Sequence, residues 1–351
     1  MPVEGAEVLN AVAQTFGRYL ALPHGAVDAV TLWVAHTHAF EAFVCTPRLN
    51  LQSPEKGCGK TTTLDVLTLF VPRSIKTENL TTAVLFRLID AHKPTVLADE
   101  CDAWLQNNEE LRGLLNAGHR RGAQVLRCEG DGNEVRGFRA FAPAVLAGIG
   151  ALPGTLHDRS IVIRLERAKP GELKERFDSR RTALERELCR KLARWTADNA
   201  ARLEMCDPIL PANAANRLAD NWRPLFAVAE IAGGDWPRRA ASAFAMLTAK
   251  TDMDAEGIGA MLLADIREIF ARTEADPFPS ADLVAALAEM EDRPWPEFSH
   301  GIPITTTKLS RILKRIQINS GTKRRGAETF KGYTRASFAD AFERYLAPRE
   351  A

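Results

Sequence analysis

Ser53-Pro54-Glu55-Lys56-Gly57-Cys58-Gly59-Lys60-Thr61-Thr62 sets two glycines and a lysine ahead of paired hydroxyls. Backbone N–H groups in such a loop, together with the N-terminus of a following helix, form an anion site. Lys60 is placed to reach β- and γ-phosphates, and the Thr61 hydroxyl to ligate Mg²⁺. The expected nucleotide contacts are Pro54, Glu55, Lys56, Gly57, Cys58, Gly59, Lys60, Thr61 and Thr62. Pro54 stands where G-x-x-x-x-G-K-[ST] has its first glycine, so the strict pattern fails, while Gly57 and Gly59 keep the tight end of the loop. The bland alternative is a glycine-rich turn with a lysine on its rim.

The complementary half of such a site is Thr95-Val96-Leu97-Ala98 followed by Asp99-Glu100. A buried parallel strand delivers its carboxylates to the C-terminal sheet edge, where ligands bind in open α/β sheets. Asp99 is expected to hold Mg²⁺, directly or through water, and Glu100 to polarise the attacking water. An apolar run ending in Asp-Glu is common by itself; following the lysine loop it carries weight.

Strands and helices must position these groups. Phe43-Val44-Cys45 and Arg48-Leu49-Asn50-Leu51 read as strand-like runs before the loop, and Thr62–Leu67 as the helix after it. Thr81 or Thr82 caps a helix running through Phe86 to Ala91. Ala142–Gly150 and Ile161–Leu165 are further core strands. Apolar spacing predicts helices over 6–21 and 26–42, the second bearing His36 and His38 as packing or surface groups. Downstream, 171–204, 212–232, 237–250 and 255–274 read as helices of a lid, and 274–279 as a linker. The expected organisation is α/β: an N-terminal helical segment (1–42), a nucleotide-binding core with a parallel sheet (43–168), a helical lid (169–274) and a winged-helix-like domain (275–351).

Arginine placement suggests further roles. Arg120 and Arg121 lie between glycines after a helix at 109–116, as a phosphate-sensing pair or as cations on a helix end. Gln124–Cys128 and Val135–Arg139 flank Gly130-Asp131-Gly132-Asn133, a hairpin signal. Arg127, Arg136 and Arg139 on it could touch a nucleic-acid backbone, or simply be solvated. Arg159, just before a core strand, could complete a neighbouring subunit's site as a finger neutralising transition-state charge, or pair with Asp158.

Near the C-terminus, a helix from Ser280 to Ala288 and another opened by Thr305–Leu313 precede Gln317–Ser320 and Thr329–Tyr333, read as strands around a Lys323–Gly326 wing. Residues 305–335 hold nine basic residues and one acid, Glu328. Lys308, Arg311, Lys314, Arg315, Lys323, Arg324, Arg325 and Lys331 are the expected DNA contacts; a solvated basic face is the alternative.

Composition bounds the reading. In 351 residues, 46% are hydrophobic, 26% are charged and the net charge is +1, so basic surface must be local rather than global. Six cysteines form no C-x-x-C pair, which argues against a zinc site or disulfide framework and for a reducing cytoplasm. No signal peptide and no membrane span are expected.

Ser53–Thr62, Pro94–Glu100, Leu115–Gly122, Asp158–Ile161 and Lys331-Gly332-Tyr333 together resemble the P-loop ATPases bearing domain of unknown function 3631, met in phages, plasmids and genomic islands. The resemblance extends over nearly the whole chain. It implies an AAA+-like, ring-forming, helicase-like ATPase of mobile-element replication. ATP and Mg²⁺ would bind between subunits of a hexamer, with single-stranded or forked DNA, and a primase or another replication protein, as partners. No primase-like segment is present, and the strand at 144–150 ends in glycines where related helicases carry a polar sensor. The other readings are an ATP-switched DNA-binding initiator or regulator without translocation and, more remotely, a defence or toxin ATPase.

Overall fold

The computed structural model describes residues 3–105, 108–129, 134–168, 175–273, 275–290, 293–298, 302–316, 318–325 and 328–346. The chain divides into two compact units, 1–247 and 248–351.

The first unit opens with helices α1 (Gly5–Tyr19) and α2 (Ala26–His38). Strand β1 (Arg48–Ser53) leads through the glycine loop into α3 (Lys60–Thr68). Then follow β2 (Ser74–Thr77), α4 (Thr82–His92), β3 (Thr95–Ala98), α5 (Cys101–Trp104) and α6 (Glu109–Ala117). A hairpin, β4 (Gln124–Glu129) and β5 (Glu134–Arg139), precedes β6 (Ala144–Ile149), α7 (Gly154–His157) and β7 (Ser160–Arg164). Helices α8 (Ala183–Asp198), α9 (Ala200–Met205) and α10 (Asn216–Ala232) follow. Helix α11 (Trp236–Ala271) carries the chain into the second unit.

Five strands form one parallel sheet in the order β2-β3-β6-β1-β7. Alternation along the strands divides the core. Leu49, Leu51, Leu97, Val145, Ala147, Ile161 and Ile163 join the helices α1, α2, α3, α8 and α10. Val96, Ala98, Ala144 and Leu146 join α4, α5 and α6. The second face of β1 is polar yet buried, with Arg48 and Asn50 each 1% exposed. Arg48 donates to the carbonyls of Ala142 (2.5 Å) and Leu115 (2.6 Å). Burial without a carboxylate, and then Arg159 nearby, lower its pKa to about 9.

Several sequence expectations need correction. Phe43–Cys45 is no strand: Cys45 makes a single bridge to Arg120, and the stretch is caught between a 3₁₀ turn at Phe40–Ala42 and Pro47. Helix α2 stops at His38. Its His36 Nε2 lies 3.0 Å from Thr46 Oγ1 and His38 Nε2 2.7 Å from the Phe70 carbonyl, so both imidazoles pack. Of the helix expected over 171–204, residues 171–174 lie outside the described residues, 175–182 are not helical, and the rest breaks between α8 and α9 at Asn199. Leu184, on α8, is exposed. The two helices expected over 237–274 are one, α11, up to Ala271. Of the two expected candidates, Thr81 caps α4, accepting from Val84 N, and Thr82 is the first residue of the helix.

The second unit packs the end of α11 with β8 (Phe278–Pro279), α12 (Ser280–Ala288), α13 (Thr306–Arg315), β9 (Gly321–Arg325), β10 (Glu328–Tyr333) and α14 (Ala339–Tyr345). Its sheet is antiparallel, in the order β8-β10-β9. The basic triplet Lys323–Arg325 was expected at a wing tip; it lies in strand β9, with Lys323 opposite Phe330 and Arg324 opposite Thr329. Backbone pairing to β10 overrides the weak strand propensity of these residues. Gln317 and Gly326 lie outside the described residues. No helix among the described residues is long and apolar enough to cross a membrane.

Candidate nucleotide site

The loop between β1 and α3 lies at the C-terminal edge of the parallel sheet. Gly57 and Gly59 both adopt left-handed φ, +83° and +80°, which a side chain would oppose. Pro54 needs no such freedom: β1 ends at Ser53, and the Ser53 hydroxyl donates to the Glu55 carbonyl at 2.9 Å, turning the chain there. Gly59 is the residue before α3, whose first residue is Lys60. Lys60 Nζ lies 2.5 Å from Ser53 Oγ and 3.5 Å from the Glu55 carbonyl. The lysine is therefore drawn back over the loop's own end.

Strand β3 is next but one to β1, with β6 between them. It delivers Asp99 to the same edge. The Thr61 hydroxyl donates to Asp99 Oδ2 at 3.4 Å, and Asp99 Oδ1 accepts from the Glu100 backbone N–H at 2.9 Å. Asp99 is buried while Glu100 is exposed, in a left-handed conformation at φ +51°. A glutamate held there is strained by roughly 1–2 kcal/mol.

Between them β6 ends at Ile149, flanked by Gly148 and Gly150. A Cβ on Gly148 would come 2.9 Å from Asp102 Oδ1, and that oxygen accepts from Ile149 N at 2.9 Å. The close approach of Asp102 accounts for the glycine at 148.

Beside the loop is a cavity of about 240 Å³. Tyr19, Leu20 and Ala21 from the end of α1 line it, with Gly57, Cys58, Gly59, Thr62, Thr63, Glu166 and Ala168. A larger cavity of about 810 Å³, lined by Glu109, Arg112, Asn116 and Thr155, includes none of the loop. Ser53 opened the motif but was assigned no contact, whereas it holds Lys60; Tyr19 and Glu166 come from distant segments and gave no sequence signal.

Arg159 sits apart from Lys60. It precedes β7, and Arg48 N donates to its carbonyl, so it lies at the sheet's N-terminal edge, about 16 Å of strand rise from the loop. Its guanidinium donates to the Thr155 carbonyl at 2.8 Å rather than to Asp158. Burial, and then Arg217, lower its pKa. The turn bearing it is pinned by Asn221, which donates to the Asp158 carbonyl at 2.9 Å and lies 2.8 Å from His119 Nε2. Arg121 donates to the Glu41 carbonyl at 2.9 Å, and Arg120 is exposed beside it.

The hairpin arginines face carboxylates. Arg127 pairs with Glu110, and Arg136 and Arg139 pair with Asp90 at 3.6 and 3.3 Å. Arg127 and Arg136 also cover the rings of Phe86 and Phe138. The turn at 130–133 lies outside the described residues. In the second unit, Arg311, Lys314, Lys323 and Lys331 form no ion pair among the described residues. Leu309 and Leu313 bury one face of α13 while Arg311 and Lys314 are exposed on another. The side chains of Arg315 and Arg325 lie outside the described ones.

Residues 164–345 match the family described as protein of unknown function (DUF3631). The chain belongs to the DUF3631 family. The match begins at the end of β7, so it is narrower than the sequence resemblance suggested, and the glycine loop and Asp99 lie outside it. An uncharacterized 28.9 kDa protein in the xis 5′ region of Saccharopolyspora erythraea is 34% identical over 187 residues, which is 52% of this DUF3631 chain and 68% of that protein. Among solved structures, the apo A form of the NrS-1 C-terminal region is 13% identical, covering 95% of this chain and 76% of that one, at a TM-score of 0.42. A full-length MCM homolog from Methanopyrus kandleri is 13% identical, covering 70% and 60%, at 0.39.

Proposed function

We propose that the chain is an ATP-hydrolysing, ring-forming DNA motor, helicase-like, that serves replication of a mobile element. The observation that carries this reading is the convergence of Lys60, Thr61 and Asp99 at one sheet edge around a loop whose glycines hold left-handed φ. Phosphates would lie on the loop's N–H groups and the start of α3, where Lys60 exchanges Ser53 for the β- and γ-phosphates. The nucleoside would occupy the adjoining cavity. Thr61 and Asp99 offer hard oxygens, one hydroxyl and one carboxylate, and fit Mg²⁺, which takes few protein ligands and keeps phosphate oxygens and water. Mg²⁺ would neutralise charge on the phosphates there. Glu100, exposed beside Asp99, would orient the attacking water.

Because Arg159 lies at the opposite edge, it would serve a neighbour's nucleotide, which requires an oligomer; the family resemblance makes that a hexamer. The order β8, α12, α13, β9, β10 in the second unit supports a winged-helix reading, with α13 and the β9–β10 hairpin toward DNA. Arg311, Lys314, Lys323 and Lys331, which form no ion pair among the described residues, favour it over the β4–β5 hairpin, whose arginines would first have to leave Glu110 and Asp90. The relative's place in an xis 5′ region suits a mobile element.

One observation favours a second reading, an ATP-switched initiator. Gly148-Ile149-Gly150 offers no polar side chain between the loop and Glu100, which would slow turnover. Steady-state ATP hydrolysis against protein concentration, with and without single-stranded DNA, separates the two. The motor requires turnover that rises with concentration and with DNA. ATP binding with little turnover and no response to DNA would replace it by the switch.

A further inference from the structure

The segment after β7 lies along the glycine loop. Glu166 and Ala168 line the cavity beside Gly57–Gly59, and Arg167 between them reaches the loop itself. Its Nη2 lies 3.2 Å from Glu55 Oε1 and 3.4 Å from the Lys56 carbonyl, and 3.6 Å from where a Cβ on Gly57 would be. A side chain anchored outside the loop therefore spans three consecutive loop residues.

We infer that Arg167 is a phosphate-binding residue of this site, held over the loop by Glu55 until nucleotide replaces that carboxylate; this rests on the nucleotide reading above. Both partners are well exposed, Arg167 at 66% and Glu55 at 60%, so their pair is screened and readily exchanged. A guanidinium offers a planar fork of donors that matches phosphate oxygens, and a di- or triphosphate carries more charge than one carboxylate. Glu55 has two effects before binding. It keeps Arg167 at the loop, and it places a negative charge where phosphates must come. With nucleotide bound, Arg167 would lie on phosphates of its own subunit, in contrast to Arg159. Its station over Gly57 rather than Lys60 points to phosphates shared by ADP and ATP. The ligand class is thus a nucleoside di- or triphosphate.

The test is equilibrium binding of fluorescent MgADP and MgATP to the full chain, for wild type, Arg167→Gln, Glu55→Gln and Lys60→Ala. Removing one charge-assisted contact at an exposed site should weaken both nucleotides by about tenfold in Arg167→Gln. Glu55→Gln should bind up to about fivefold tighter, since a repulsion is gone. Arg167→Gln at wild-type affinity beside a Lys60→Ala that has lost binding would overturn the inference and leave the phosphate-loop reading standing. Glu55→Gln weakened in parallel with Arg167→Gln would also overturn it, making the pair a brace of the loop. Lys60→Ala binding like wild type would overturn both readings.

Discussion

Lys60 Nζ lies 2.5 Å from Ser53 Oγ, so the ammonium at the start of α3 rests on the last residue of β1. On the nucleotide reading proposed above, this lysine needs somewhere to keep its charge before phosphate arrives. Ser53, itself buried, supplies an acceptor that can be given up at small cost, because a neutral hydroxyl holds an ammonium less strongly than phosphate does.

Glu100 joins strain and function at one residue. Glu100→Gln should still bind MgATP while turnover falls by about 10²–10⁴-fold, since proton acceptance by the carboxylate is lost. Glu100→Gly should lose turnover equally, yet unfold at the same or a higher denaturant concentration, because glycine accepts the left-handed backbone. Paired hydrolysis and urea titrations check both; an active Glu100→Gln would remove it from the chemistry.

Arg159→Ala should bind nucleotide normally and lose turnover by roughly 10³-fold. Mixing it with Glu100→Gln should restore part of the activity. The Gln variant brings an intact arginine to a neighbour that keeps Glu100. Absence of rescue, in rings shown to exchange subunits, would speak against action across a subunit boundary.

The buried histidines make the first unit acid-sensitive. Burial lowers His36 to about 3, and burial holds His38 and His119 to about 4, the last assisted by Arg48. All three are neutral in the fold above these values, whereas the unfolded chain binds protons below about 6.5. Stability from this source is therefore level above pH 7. It falls between about pH 6.5 and 4 by about 1.4 kcal/mol per pH unit for each histidine. Urea unfolding from pH 7.5 to 5 should show this decline, and His36→Gln should reduce its slope.

DNA contacts should follow unpaired charge. Arg311→Ala or Lys314→Ala should weaken binding of a single-stranded oligonucleotide and lower its salt dependence by about one ion each. Arg136→Ala should change little, since Asp90 already holds that charge. Fluorescence anisotropy at several salt concentrations decides, and the reverse ranking would move the DNA site to the β4–β5 hairpin.

The glycine loop between β1 and α3, the strand end at Asp99-Glu100 and the cap at the start of α4 were legible as structure because each is a short string whose meaning depends on neighbours in sequence. The polar face of β1 was not. Arg48 reads as a strand-end cation, and only the distant carbonyls of Leu115 and Ala142 make its burial tenable. Arg167 gave no signal either, since its partners lie more than a hundred residues upstream. Strand β9 was misread as a turn because Lys323–Arg325 is held by backbone pairing to β10 and carries no apolar pattern. The hairpin arginines were visible in sequence, but not Asp90 on α4 and Glu110 on α6, which pair with Arg127, Arg136 and Arg139.

Binding and turnover of MgATP by the wild-type chain beside Lys60→Ala decide whether the glycine loop is a nucleotide site. Wild type should bind and hydrolyse MgATP. Lys60→Ala, folded to the same melting temperature, should bind at least about a hundredfold more weakly and show no turnover. A Lys60→Ala variant with wild-type affinity and rate would contradict a nucleotide site at this loop.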